Sequence, residues 1–154
     1  MTRTARKYVL DTNLFIRGFR DPSANETLQR FHRLFAPFEY LSVVVAQELR
    51  AGVSAPQDRR ALERNLLDVF RRVDRVLVPS TSAWQRSGDL LAELARNEGL
   101  EAGRVSKAFG NDILLALSCR ENGCVLVTEN ERNFMRIGRL VPFEFVRPWP
   151  MPLA

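Results

Sequence analysis

Short apolar runs alternate along the chain with longer stretches of helical periodicity. Residues 7–10 (KYVL) read as a buried strand entering Asp11, and the polar step Asp11-Thr12-Asn13 separates it from Leu14-Phe15-Ile16. Ser23-Ala24-Asn25-Glu26 has the spacing of a capping box, with Leu28, Phe31, Leu34, Phe35 and Phe38 at helical spacing behind it. A strand near 39–42 is expected to pass directly into a helix that Gly52 stops. Residues 57–74 place Leu62, Leu66, Val69, Phe70 and Val73 on one face of an amphipathic helix whose outer face is rich in arginine. Val76-Leu77-Val78-Pro79 reads as a strand. Ser80 to Glu98 reads as a helix closed by Gly99, with Trp84, Leu90, Leu91 and Leu94 inward. A polar loop from Gly99 to Asn111 leads into Ile113–Cys119, apolar almost all round and therefore central. Cys124–Thr128 is a buried strand, Val141–Val146 an edge strand, and 147–154 a Pro-rich tail.

Strands alternating with helices predict an α/β fold with a mostly parallel sheet covered on both faces. Ligands bind such sheets beyond the carboxyl ends of the strands, at a topological switch point. Asp11 follows the first strand, and Glu48 lies about a turn into the helix after the second. Asp112 begins the central helix, and Asn130 follows the strand CVLVT. Four side chains far apart in sequence are thus expected in one crevice. Singly, each has a plain structural account as a turn residue, a cap or a solvated helix position. A carboxylate set between apolar runs must nevertheless sit at a strand end, be hydrogen-bonded or hold a cation, because burying it alone is costly.

Composition narrows the chemistry. The 154 residues, 45% hydrophobic and 27% charged, fit one globular domain with a sizeable core. No apolar run approaches the roughly 18 residues that span a bilayer, and Asp11 interrupts the short apolar segment near the N-terminus, against a secretory signal. Cys119 and Cys124 read as packing cysteines of a reduced, cytoplasmic chain. The net charge is +5, with Lys7 and Lys107 the only lysines. An arginine excess suits phosphate-bearing partners, acidic proteins or a GC-rich coding bias. His32 is the only histidine and sits within an amphipathic helix as a packing or surface residue, which excludes a two-histidine acid–base ribonuclease. No P-loop occurs, and Asp11-Thr12-Asn13 lacks the second Asp of a phospho-aspartate enzyme.

Three carboxylates at one spot repel each other unless protonated or paired with a cation. Oxygen ligands suit Mg²⁺ or Mn²⁺, which lower the pKa of bound water and neutralise charge on a phosphoryl oxygen.

Together, YVLDTNLFI, SVVVAQELRAG and GNDILLALSCRENGCVLVTENERNF resemble, in order, the motifs of the PIN domain, most closely the VapC-type toxins of type II toxin–antitoxin pairs. The resemblance spans about residues 7–146 of a single domain, 1–154. It implies a PIN-like (Rossmann-like) α/β/α sandwich and an endoribonuclease that hydrolyses RNA phosphodiesters with Mg²⁺-activated water, Mn²⁺ being an alternative. Asp11, Glu48, Asp112 and Asn130 would be catalytic; Asp11, Asp112 and Glu48 would hold metal, and Thr12 and Thr128 would support them. Asn130 replaces the Asp of many relatives and removes a negative charge, which counts against a strict two-metal mechanism. Arg17, Arg20, Arg50 and Arg104 are rim candidates for RNA contacts. The resemblance also implies a homodimer and a cognate antitoxin that blocks the cleft. The alternatives are a non-catalytic RNA-binding or scaffold protein, disfavoured by the retained acids, and a DNA nuclease on the same fold, whose larger acidic cluster is missing.

Overall fold

The computed structural model describes residues 6–98 and 106–151. Its strands are β1 (Lys7–Leu10), β2 (Glu39–Ser42), β3 (Val76–Leu77), β4 (Cys124–Val127) and β5 (Phe145–Val146). They form one parallel sheet in the order β3-β2-β1-β4-β5. The α/β/α expectation is met. From β1 the chain builds outward to β2 and β3, then returns to place β4 on the other side of β1. The β1–β4 junction is therefore the switch point. Register there runs from Lys7↔Cys124 to Leu10↔Val127, and the Asp11 amide donates to the Val127 carbonyl at 2.9 Å. The residues just past the two strand ends are thereby brought side by side.

The helices are α1 (Thr12–Arg20), α2 (Pro22–Phe35), α3 (Val43–Ala51), α4 (Pro56–Leu62), α5 (Asp68–Arg72), α6 (Thr81–Glu98), α7 (Lys107–Asn122) and α8 (Glu131–Gly138). Leu14, Phe15 and Gly18 form the buried stripe of α1. A Cβ on Gly18 would stand 2.7 Å from Leu28 Cδ2, so a larger residue there would force the buried Leu28 side chain to shift. Gly123, left-handed at φ 64°, ends α7 and turns the chain straight into β4. His32 Nδ1 is hydrogen-bonded to the carboxylate of buried Glu39 at 2.7 Å, and its ring stacks on Phe15. Cys119 and Cys124 are free and buried. Among the described residues no helix is long and apolar enough to cross a membrane.

Several elements depart from the sequence expectation for local reasons. Helix α2 begins at Pro22, capped by Asp21 through the Ser23 amide at 3.1 Å, and not by a box at Ser23. Proline costs nothing at that first position because its missing N–H has no intrahelical partner there. The 57–74 helix contains a π-helical turn, Glu63–Leu67, between α4 and α5. The extra residue shifts the buried face to Leu62, Leu67 and Phe70, leaving Val69 and Val73 about half exposed. On α6 the inward stripe is Ala83, Ser87, Leu90 and Leu94; Trp84 lies one position off it and is 58% exposed, not inward. Helix α7 starts at Lys107, where Ser106 Oγ accepts from the Phe109 amide at 3.1 Å. Asp112 is therefore in its second turn and does not begin it. The rest of the predicted loop, 99–105, lies outside the described residues. Of the last predicted strand, only Phe145–Val146 pairs as strand.

Candidate active site

Asp11 ends β1 and caps α1, and both roles hold its carboxylate at the switch point. Oδ1 accepts from the Thr12 amide at 2.8 Å. Oδ2 accepts from Thr128 Oγ1, just past β4, at 2.7 Å, and from Asn13 Nδ2 at 3.4 Å. Asp11 is only 5% exposed. Burial pushes its carboxyl above the ordinary value, the bonds from Thr128 and Thr12 pull it down, and Glu48 and Glu129 push it up again. Neutral donors thus reduce the cost of the buried charge without cancelling it.

Thr12 ties a second acid to the first. Its hydroxyl donates to Glu48 Oε1 at 2.8 Å, while its amide serves Asp11. Thr128 relays similarly, donating to Asp11 and accepting from the Asn130 amide at 2.9 Å. One hydroxyl is a single donor with two acceptor sites, so both bonds coexist.

Asp112 projects from α7 toward the same place. Its Oδ2 accepts from Asn133 Nδ2 at 3.2 Å and Asn130 Nδ2 at 3.5 Å. Its carboxyl is pushed up to about 7, first by burial, then by the charge of Asp11, with Glu48 adding to it and the Asn133 bond opposing. Asp11, Glu48 and Asp112 therefore share one electrostatic neighbourhood. Sequence reasoning missed Asn13 and Asn133. Asn133 follows Asn130 by three residues on the first turn of α8, a spacing that puts the two on one face.

The donor set suits a hard divalent cation. It consists of carboxylate and hydroxyl oxygens, and Asn13, bonded to Asp11, carries a buried Oδ1 with no hydrogen-bond partner. Among the described residues no three His, Cys, Asp or Glu side chains gather closely enough to enclose an ion. An ion here would be held by one or two carboxylates, with water completing its shell, as Mg²⁺ commonly is.

The expected rim arginines diverge. Arg17 pairs with Glu129 at 2.8 Å, next to the cleft. Arg20 is exposed at the end of α1. Arg50 is held by Glu63 through two bonds of 2.6 and 3.1 Å. Arg104 lies outside the described residues.

Comparison with known proteins places this geometry. A family model described as PIN domain matches residues 8–140. A protein of Shigella flexneri named tRNA(fMet)-specific endonuclease VapC is 34% identical over 136 residues, covering 87% of this chain and 94% of that one. Among solved structures, DNA-bound VapBC from Salmonella typhimurium superposes with a TM-score of 0.69 at 26% identity, covering 93% of this chain and 98% of the other. VapBC2 of Rickettsia felis, bound to a promoter DNA fragment, gives 0.59 at 26% identity, covering 92% and 98%. A PIN fold, its acids gathered at the β1–β4 switch point, and a VapC relative matched along nearly its whole length agree: the chain belongs to the PIN-domain family and, within it, is VapC-like.

Proposed function

We propose that this protein is a metal-dependent endoribonuclease, the toxin of a type II toxin–antitoxin pair. The observation that carries the reading is the convergence of Asp11, Glu48 and Asp112, with two of the three carboxyls pushed above their ordinary values. Such a site is costly when empty of positive charge and suited to a divalent ion and a phosphodiester. A bound Mg²⁺ would supply a nucleophilic water at neutral pH and offset charge on the phosphoryl oxygens. Asp11 and Asp112 are its foremost ligands. Thr12, Thr128 and Asn133 orient the carboxylates, and Glu48, fixed by Thr12, is placed to hold water or metal. Asn130 donates to Asp112 and adds no charge, which favours a single-ion site.

The name of the Shigella flexneri relative makes transfer RNA the first substrate to try, and the VapBC complexes point to a cognate antitoxin as partner. The test is cleavage of end-labelled transfer RNA, with single- and double-stranded DNA in parallel, in Mg²⁺ and in EDTA. RNA cleavage that needs Mg²⁺ and disappears in both Asp11→Asn and Asp112→Asn is expected. Cleavage of DNA alone favours the DNA-nuclease alternative. Binding without cleavage under every divalent ion favours the scaffold alternative.

A further inference from the structure

The proposed cleft is acidic and repels a polyanion, so affinity for RNA must come from basic surface outside it. One face offers such a surface. Arg59, Arg60 and Arg64 are exposed on α4 and the π-helical turn. With Arg50, Glu63 and Asp68 they line an open cavity of about 480 Å³. Both carboxylates there are already committed. Glu63 binds Arg50 through two bonds and Arg71 at 2.9 Å, and Asp68 also pairs with Arg71. The guanidinium groups of Arg59, Arg60 and Arg64 have no hydrogen-bond or ion-pair partner among the described residues.

Arg60 and Arg64 are four residues apart, a spacing at which like charges on a helix repel and weaken it. A π-helical turn, a rare element found frequently at functional sites, falls at the same place. Guanidinium groups bind phosphate oxygens bidentately, so three unpaired ones in a single concavity match a phosphodiester backbone better than isolated surface charges do. The patch and the cleft share one helix, on faces about 200° apart. Helix α3 carries Glu48 at the acidic site and Arg50 at the basic cavity.

We infer that Arg59, Arg60 and Arg64 form a subsite for the phosphodiester backbone of the substrate RNA, gripping the strand at a second point outside the acidic cleft. This rests on the ribonuclease reading above.

The test uses the full chain carrying Asp11→Asn, with fluorescently labelled transfer RNA in EDTA, followed by anisotropy from 50 to 200 mM KCl. A triple variant, Arg59→Gln/Arg60→Gln/Arg64→Gln, is compared with Arg33→Gln/Arg86→Gln/Arg139→Gln. The second set changes the net charge equally at exposed positions elsewhere. Each phosphate that the protein no longer neutralises flattens the log–log salt dependence by about 0.7–0.9. The patch variant is therefore expected to show a slope shallower by about two and at least tenfold weaker affinity at 100 mM salt. The scattered variant should stay within about twofold of the parent. Circular dichroism establishes that both fold. Equal weakening in the two variants would reduce the patch to net charge and overturn the proposal, as would an unchanged slope in the patch variant while the parent binds. An effect confined to duplex DNA or to an acidic protein partner would also overturn it. A parent that neither binds nor, with Asp11 restored, cleaves RNA fails the ribonuclease reading first and takes the subsite with it.

Discussion

Replacing Asp112 by Asn reports directly on crowding of charge at the site. The Asp112 carboxyl is pushed from 3.8 to about 7, chiefly by burial and by Asp11. An acid whose folded pKa exceeds its unfolded value binds its proton more tightly when folded. Its contribution to stability is therefore complete below about pH 4, declines as the pH rises to about 7, and is flat above that. At about 1.4 kcal/mol per pH unit, the difference sets an upper bound of about 4 kcal/mol. Asp112 is partly exposed, and solvent screening lowers the expected effect to about 2–3 kcal/mol. Asn cannot ionise, yet its Oδ1 still accepts from Asn133. The assay is urea unfolding of both proteins in EDTA at pH 5 and pH 8. Unfolded Asp112 is already largely ionised at pH 5, so wild type should lose about 1–2 kcal/mol between the two that Asp112→Asn retains. The variant is then the more stable at pH 8, by about 4–10 °C in melting temperature for a chain of this size. Millimolar Mg²⁺ should restore much of the wild-type deficit at pH 8 and leave the variant unmoved, since only binding to the native state stabilises. Parallel pH profiles for the two proteins would refute the claim that Asp112 is ionised against its neighbours.

Two further changes address the supports of the site. Thr128→Val keeps the shape but removes the 2.7 Å bond to Asp11 and the acceptor for the Asn130 amide. Stability at pH 8 should fall by about 1–3 kcal/mol, with cleavage down at least tenfold, read by urea unfolding and the RNA assay; unaltered values in both would show that the hydroxyl relay contributes nothing. Gly18→Ala places a Cβ 2.7 Å from Leu28 Cδ2, and the overpacking, offset by about 0.5–1 kcal/mol of helix propensity, should lower stability by about 0.5–2 kcal/mol, seen as an earlier urea midpoint, whereas a gain in stability would show that Leu28 moves aside.

Much of the architecture was legible along the chain. KYVL, EYLS and CVLV read as strands because short apolar runs beside polar punctuation have few other uses, and the central position of Ile113–Cys119 followed from its all-round apolarity. The candidate acids were legible because carboxylates next to apolar runs need a reason to be there. Helix phase was harder to read. Trp84 and Val73 fit a regular inward stripe on paper, but a π-helical turn or a shift of one residue turns a helix face by about 100°, and neither leaves a mark on the hydrophobic pattern. The start of α7 was also hidden, because Ser106 as cap and the polar first turn look like loop.

Residue types and their order along the chain thus determined the strand–helix alternation, the family and the acids of the candidate site, since burial and periodicity leave a local imprint. Only the tertiary structure decided which groups meet. Thr12 bridges Asp11 and Glu48, Asn133 joins Asn130 on Asp112, and Glu63 takes Arg50 out of the set of free arginines while Arg59, Arg60 and Arg64 stay unpaired. Those pairings join residues up to 36 positions apart, and the bond from Thr128 to Asp11 joins residues 117 apart, forming only because β1 and β4 set their ends in register.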